Sequence, residues 1–104
     1  MVSASVPLAS SEGLADVLFT RTQKRLFALL YGYPERRYSV SELIALASSG
    51  RGSVQRELAR LEQSGLVTSE RHGNRKPCRA NPDAAIFEEL RAIVRKTSIL
   101  KKGD

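Results

Sequence analysis

The chain has 104 residues and a mass of 11.5 kDa, enough for one domain with a modest core and too little for two. Hydrophobic residues make up 41% and charged residues 27%, a globular balance that excludes a wholly disordered chain. A formal charge of +6 and a pI near 10.0 point to an acidic partner, nucleic acid or an anionic membrane surface. The lone Cys78 excludes an internal disulfide, and no apolar run approaches the roughly 18 residues of a membrane span.

Residues 1–13, "MVSASVPLASSEG", have neither a basic start nor a long apolar stretch. They are read as a disordered lead-in and not a secretion signal, and the protein as cytoplasmic with no membrane role. The domain is expected over 14–98. A short helical turn over 14–19 brings Val17 and Leu18 to pack. Thr20 and Gln23 then have capping-box spacing, so a longer helix begins near Arg21. Its stripe is Leu26, Leu29, Leu30 and Tyr33, flanked by Phe27, and Gly32 and Pro34 stop it.

Ser39 and Glu42 repeat the capping-box spacing before Leu43, Ile44 and Ala47, a short helix ended by Ser48, Ser49 and Gly50. The next helix, "RGSVQRELARLEQSGLV", places Val54, Leu58 and Leu61 in a narrow arc at about 100° per residue. Its opposite side shows Gly52, Ser53, Gln55, Arg56, Ala59 and Arg60, and Gly65 closes it with a left-handed cap.

The period then changes to two over residues 66–71, the mark of a strand. His72, Gly73 and Asn74 supply a tight turn, and residues 75–80 return as a second strand. Pro77 has no amide to donate, which predicts an edge position. Asn81 and Pro82 are expected as N-cap and first residue of a closing helix. Its stripe runs through Ile86, Phe87, Leu90, Ile93, Val94 and Thr97, and residues 99–104 are expected to fray as a basic tail.

These elements predict a mainly α fold with a small β-hairpin (α+β): a winged helix-turn-helix, its helices followed by a two-stranded wing and a C-terminal helix. The stretch "SVSELIALASSGRGSVQRELARLEQSGLVTSERHGNRKPCRANP" resembles the core of ArsR/MarR-like winged-helix transcriptional regulators. The run "VQRELARLEQSGLV", the "RHGN" wing tip and "RANP" resemble most a subgroup often associated with minimal nucleotidyltransferases. The resemblance implies a DNA-binding regulator that acts as a repressor; repression rests on that resemblance and on no residue here. Pro77 and Cys78 depart from the aromatic residues common on the family's return strand. No nucleotidyltransferase domain lies within the 104 residues, so no transferase chemistry is expected of them.

In this reading Arg51, Gly52, Ser53, Gln55, Arg56 and Arg60 face double-stranded DNA from the recognition helix. Arginine forks match guanine O6 and N7, Gln55 matches adenine, and the small residues let the helix start approach closely. The wing contributes Arg71, His72, Asn74, Arg75 and Lys76, with Arg79 in the same cationic cluster and Glu70 the lone opposing carboxylate. Arg21, Thr22, Lys24 and Arg37, with Arg36, are candidates for contacts to the DNA backbone. The plain alternatives are a solvated helix face, with Arg56 on Glu57 or Arg60 on Glu62, and a hairpin charged only against aggregation.

A homodimer is expected through Leu14, Val17, Leu18, Phe87, Leu90, Ile93 and Val94, because specific operators usually recruit two-fold dimers. The alternative function is a protein-interaction module partnering a separately encoded nucleotidyltransferase in an antitoxin-like role. An RNA reading is disfavoured by the scarcity of exposed aromatics. No cofactor, metal or catalytic site is expected: His72 and Cys78 stand alone, and no nucleophile lies near the histidine in sequence. Redox sensing by Cys78 would need its basic neighbours to lower its pKa.

Overall fold

A computed structural model describes residues 13–97. The expected lead-in, except Gly13, and the basic tail lie outside the described residues. Five α-helices and one hairpin occur among the described residues: α1 (Leu14–Leu18), α2 (Arg21–Leu30), α3 (Val40–Ala47), α4 (Arg51–Gln63), β1 (Val67–Ser69), β2 (Cys78–Ala80) and α5 (Phe87–Lys96). This is a small, mainly helical α+β fold of winged-helix type. None of these helices is long and apolar enough to cross a membrane.

The local signals explain the helix starts. The Thr20 hydroxyl accepts from the Gln23 amide, and the Gln23 side chain accepts in return from the Thr20 amide. Ser39 and Glu42 do the same at α3, so both boxes satisfy amides that would otherwise lack partners. At the end of α4, Gly65 adopts φ +83°. Its amide donates to Glu62 O and the Leu66 amide to Leu61 O, which closes the helix in a Schellman turn.

Leu26 and Leu30 of α2, Leu43 of α3, Val54 of α4 and Val94 of α5 meet with no more than 1% of their surface exposed. Each such aliphatic side chain contributes about 1.5–3 kcal/mol by leaving water. The rings of Phe19, Phe27, Tyr31 and Phe87 form a line at centroid spacings of 5.1, 6.0 and 5.6 Å, joining the start of the domain to α5. Such offset and edge-on contacts are favourable beyond the area they bury.

The hairpin pairs Val67 with Ala80, Thr68 with Arg79 and Ser69 with Cys78. Both strands are shorter than the sequence pattern implies. Beyond them the arms are joined by a single bond from Glu70 to Pro77 and by the His72–Arg75 bridge next to the tip. Nor is β2 an edge strand at Cys78. Tyr38 and Cys78 exchange both backbone hydrogen bonds, at 2.8 and 2.7 Å, so β2 lies between β1 and the residue that leads into α3. Pro77 is accommodated because its carbonyl, not its nitrogen, is used: it accepts from the Glu70 amide at 3.3 Å.

Two other expectations are corrected. Asn81 and Pro82 do not start the closing helix, which begins at Phe87 with Ile86 at its N-cap. The Asn81 side chain instead accepts from the Asp83 amide and donates to Gly65 O, and this Asx turn takes the chain off the helical path. Tyr33 does not join the α2 stripe either. The helix ends at Leu30, and Tyr31 fills the core position while Tyr33 stays 52% exposed.

Candidate nucleic-acid interface

Helix α4 has a buried side and a solvent side. Val54, Glu57, Leu58 and Leu61 are buried, whereas Arg51, Gly52, Gln55, Arg56, Ala59 and Arg60 are exposed and Ser53 is half-buried. Gly50 precedes the helix with no side-chain cap, so the amides of the first turn have no side-chain acceptor. A Cβ on Gly52 would stand 3.4 Å from Arg56 Nη1. The Arg56 side chain therefore leans back over the first turn, as helical side chains do.

The wing begins beside this face. Between α4 and the hairpin runs an open groove of about 210 Å³, with Gln55, Ala59 and Glu62 on one wall and Ser69, Lys76 and Cys78 on the other. A second, of about 380 Å³, separates Ser39, Val40 and Ser41 at the start of α3 from Arg75 and Lys76. These two grooves put the solvent face of α4, the start of α3 and the return arm of the wing on one side of the molecule. The Ser69 hydroxyl donates to Glu62, which fastens the root of the wing to the end of α4.

At the tip the His72 and Arg75 backbones bond each other at 2.7 and 3.0 Å around Gly73 and Asn74. Gly73 carries the positive φ of +65° and Asn74 does not, the pattern of a two-residue turn with glycine first. Among the described residues Arg51, Arg56, Arg71, Arg75 and Lys76 form no ion pair. All five are exposed. Glu70, the one carboxylate of the wing, lies 3.5 Å from Arg37 and 3.6 Å from His72.

Several expected contacts are already engaged elsewhere. Arg37 braces the wing through Glu70, Lys24 pairs with Asp16 of α1, and the Thr22 hydroxyl donates to Ser49 Oγ at 3.4 Å. Arg21 is exposed and forms no ion pair among the described residues. Arg36 stacks over the Tyr38 ring at 4.8 Å. Arg79 is half-buried, with its Nε enclosed and lacking a hydrogen-bond partner, so it does not belong with the exposed cations. Arg60 pairs with Glu57 at 3.7 Å, not with Glu62, yet its side chain stays 72% exposed.

The expected dimer set divides. Leu90 and Val94 are 4% and 1% exposed within a single chain, because the stripe of α5 covers the helical core; they are not free to meet a second copy. Phe87 and Ile93 are half-buried. Leu14, Val17 and Leu18 are 47%, 81% and 56% exposed.

Cys78 does not meet the condition that redox sensing sets. Burial pushes its thiol pKa up, Glu62 pushes it further, and Lys76 opposes only in part. A buried thiol held protonated lacks the thiolate that redox sensing requires. Among the described residues no three His, Cys, Asp or Glu side chains gather as a metal site would require.

Three contributors escape the sequence patterns. Arg25 donates to the Ala47 and Ser48 carbonyls at 2.8 and 3.2 Å, clamping the turn between α3 and α4. Gln23 donates to Glu57 at 3.0 Å, and Tyr31 to the Leu66 carbonyl at 2.6 Å. No periodicity marks such long-range polar links; the unused amide nitrogen of the capping-box Gln23 was the one available sign. No protein-family model matches the chain, and no curated protein matches it.

Proposed function

We propose that the protein is a sequence-specific regulator that binds double-stranded DNA, placing α4 in the major groove and the wing against the adjacent backbone or minor groove. The observation that carries this reading is the shared side: Gln55 of α4 and Lys76 of the wing line one groove, Arg75 and Lys76 line the second, and Arg51 and Arg56 are exposed on the solvent side of α4 with Gln55; among the described residues none of these cations is paired with a carboxylate. A helix presenting arginine and glutamine fits the donor and acceptor code of the major groove. The wing cations fit phosphates and carry no sequence information of their own.

The chemistry asks for a duplex and not a single strand. Exposed aromatic surface for base stacking is confined to Tyr33 among the large exposed hydrophobics of the described residues. The ArsR/MarR-like relationship, repression by promoter occlusion and a cytoplasmic setting belong to the same proposal. So does a homodimer, now built on Leu14, Val17 and Leu18 of α1 and no longer on Leu90 and Val94. Its two copies would read two half-sites about one helical turn apart.

Replacing Arg56 and Arg60 together with alanine tests the reading. Binding to a preferred duplex falls by several kcal/mol if the two arginines read bases. A complex with a nucleotidyltransferase formed through other surfaces, the alternative function, does not respond to this change.

A further inference from the structure

Glu57 is the one carboxylate buried among the described residues, and its two oxygens have different partners. Oε2 accepts from Gln23 Nε2 at 3.0 Å, while Oε1 lies 3.7 Å from Arg60 Nη1. Gln23 is itself held from behind, since its Oε1 accepts from the Thr20 amide at 3.0 Å and its own amide donates to Thr20 Oγ1 at 3.1 Å. Polar links thus run Thr20, Gln23, Glu57, Arg60, from the N-cap of α2 to the outer face of α4.

A buried carboxylate is costly unless it is paired, and folding alone would explain the Gln23 bond. It does not explain the second partner. The Glu57 side chain is 12% exposed and that of Arg60 is 72% exposed, and an exposed pair of i, i+3 spacing adds little to stability. What such a pair does change is the freedom of the guanidinium. A long arginine side chain loses much rotamer freedom when it binds, and a tether that fixes it beforehand reduces that loss.

We infer that Glu57 is a positioning residue which, through Gln23, aims Arg60 at the edge of a single base, and that the base is guanine. The inference rests on the DNA reading above and deepens it. One nitrogen of the guanidinium faces Glu57, and the five N–H donors of an arginine leave enough for a fork elsewhere. Guanine presents two acceptors, O6 and N7, at the spacing of that fork. Among the described residues Arg56 forms no ion pair and so has no such tether.

The test uses the full chain, a duplex enriched by the wild-type protein from a random-sequence pool, and single-base-pair changes to that duplex. Glu57→Gln keeps an oxygen for Gln23 Nε2 while removing the anion beside Arg60. It also removes one negative charge from a DNA-facing element, so a purely electrostatic role predicts tighter binding to every duplex alike. The positioning role predicts unchanged or tighter binding to a scrambled duplex. Discrimination at one G·C position then falls by about tenfold or more. Arg60→Ala loses discrimination at the same position, and Glu57→Gln adds nothing on that background. If Glu57→Gln unfolds, Glu57→Asp, which keeps the charge but withdraws the oxygens, shows the same selective loss.

Unchanged discrimination in a folded Glu57 variant overturns the inference, as does an effect additive with Arg60→Ala. Either result leaves the DNA reading standing, provided that the wild-type chain prefers its enriched duplex. A wild-type chain with no duplex preference removes the DNA reading and this inference together.

Discussion

Arg25 Nη1 lies 2.8 Å from the Ala47 carbonyl and 3.2 Å from that of Ser48, so a cation from α2 closes the C-terminal end of α3. The position suits it twice. The last carbonyls of a helix lack intrahelical donors, and the negative end of the helix dipole favours a positive charge. Ser48, the next residue of the turn, is held at φ +54°, a conformation that side-chain-bearing residues rarely adopt. The clamp therefore fixes the angle at which α4 leaves α3.

Arg25→Ala is expected to cost about 1.5–3 kcal/mol, the scale of a hydrogen bond to a charged group whose partner is left unmet. Urea unfolding measures this directly. Arg25→Lys should restore part of the loss, since a point charge serves one carbonyl but not two. A loss below about 0.5 kcal/mol in the alanine variant would assign the setting of the turn to packing alone.

Tyr31 predicts an alkaline transition. Burial pushes its pKa from 10.0 up to about 12, and its hydroxyl donates to Leu66 O. The folded state thus holds this proton more tightly than the unfolded state does. The stabilising contribution is complete below pH 10 and is lost as pH rises toward 12. Tyr31→Phe should flatten the fall in stability across that window relative to wild type. At neutral pH it should cost about 0.5–1.5 kcal/mol and no more, because Leu66 O still accepts from the Asn81 amide at 3.0 Å. Chemical denaturation of both proteins at about pH 8, 10 and 11.5, that is below the window, at its start and within it, compares the slopes.

The wing separates affinity from specificity. Arg71→Ala, Arg75→Ala and Lys76→Ala should each weaken binding to preferred and scrambled duplexes alike. Each should also lower the slope of log affinity against log salt by about 0.9. A wing change that alters preference between sequences would instead place that side chain on a base edge.

Val17 tests the dimer. It is 81% exposed, so Val17→Lys should leave the stability of a single chain within about 0.5 kcal/mol of wild type. If α1 joins two copies, sedimentation velocity should show the variant as a monomer and the wild type as a dimer. Its affinity for a two-half-site duplex should fall while binding to one half-site persists.

Much of this fold is legible in the sequence because its signals are local. Two capping boxes, the arc of Val54, Leu58 and Leu61, and the turn residues at Gly73 each act within a few positions of one another. What stays hidden is set by distant partners. Tyr38 gives no strand pattern, since its pairing with Cys78 is a single bridge between residues far apart in the chain. Asn81 and Pro82 carry a good helix-start signal, but Asn81 bonds Asp83 and Gly65 instead. The exposed cations of the candidate interface were readable from charge and helical phase. Their division into free and tethered groups was not, because Arg37, Lys24 and Arg60 find carboxylates that only the folded chain brings near.

The most direct test of the central claim is fluorescence anisotropy with two duplexes of equal length and base composition. One is taken from upstream of the protein's own gene and the other is scrambled, both at about 0.15 M salt where non-specific attraction is partly screened. A sequence-specific regulator prefers the upstream duplex by about 10³-fold or more. Equal, weak binding to both, joined by failure to enrich any motif from a random pool, would contradict it and turn attention to a protein partner.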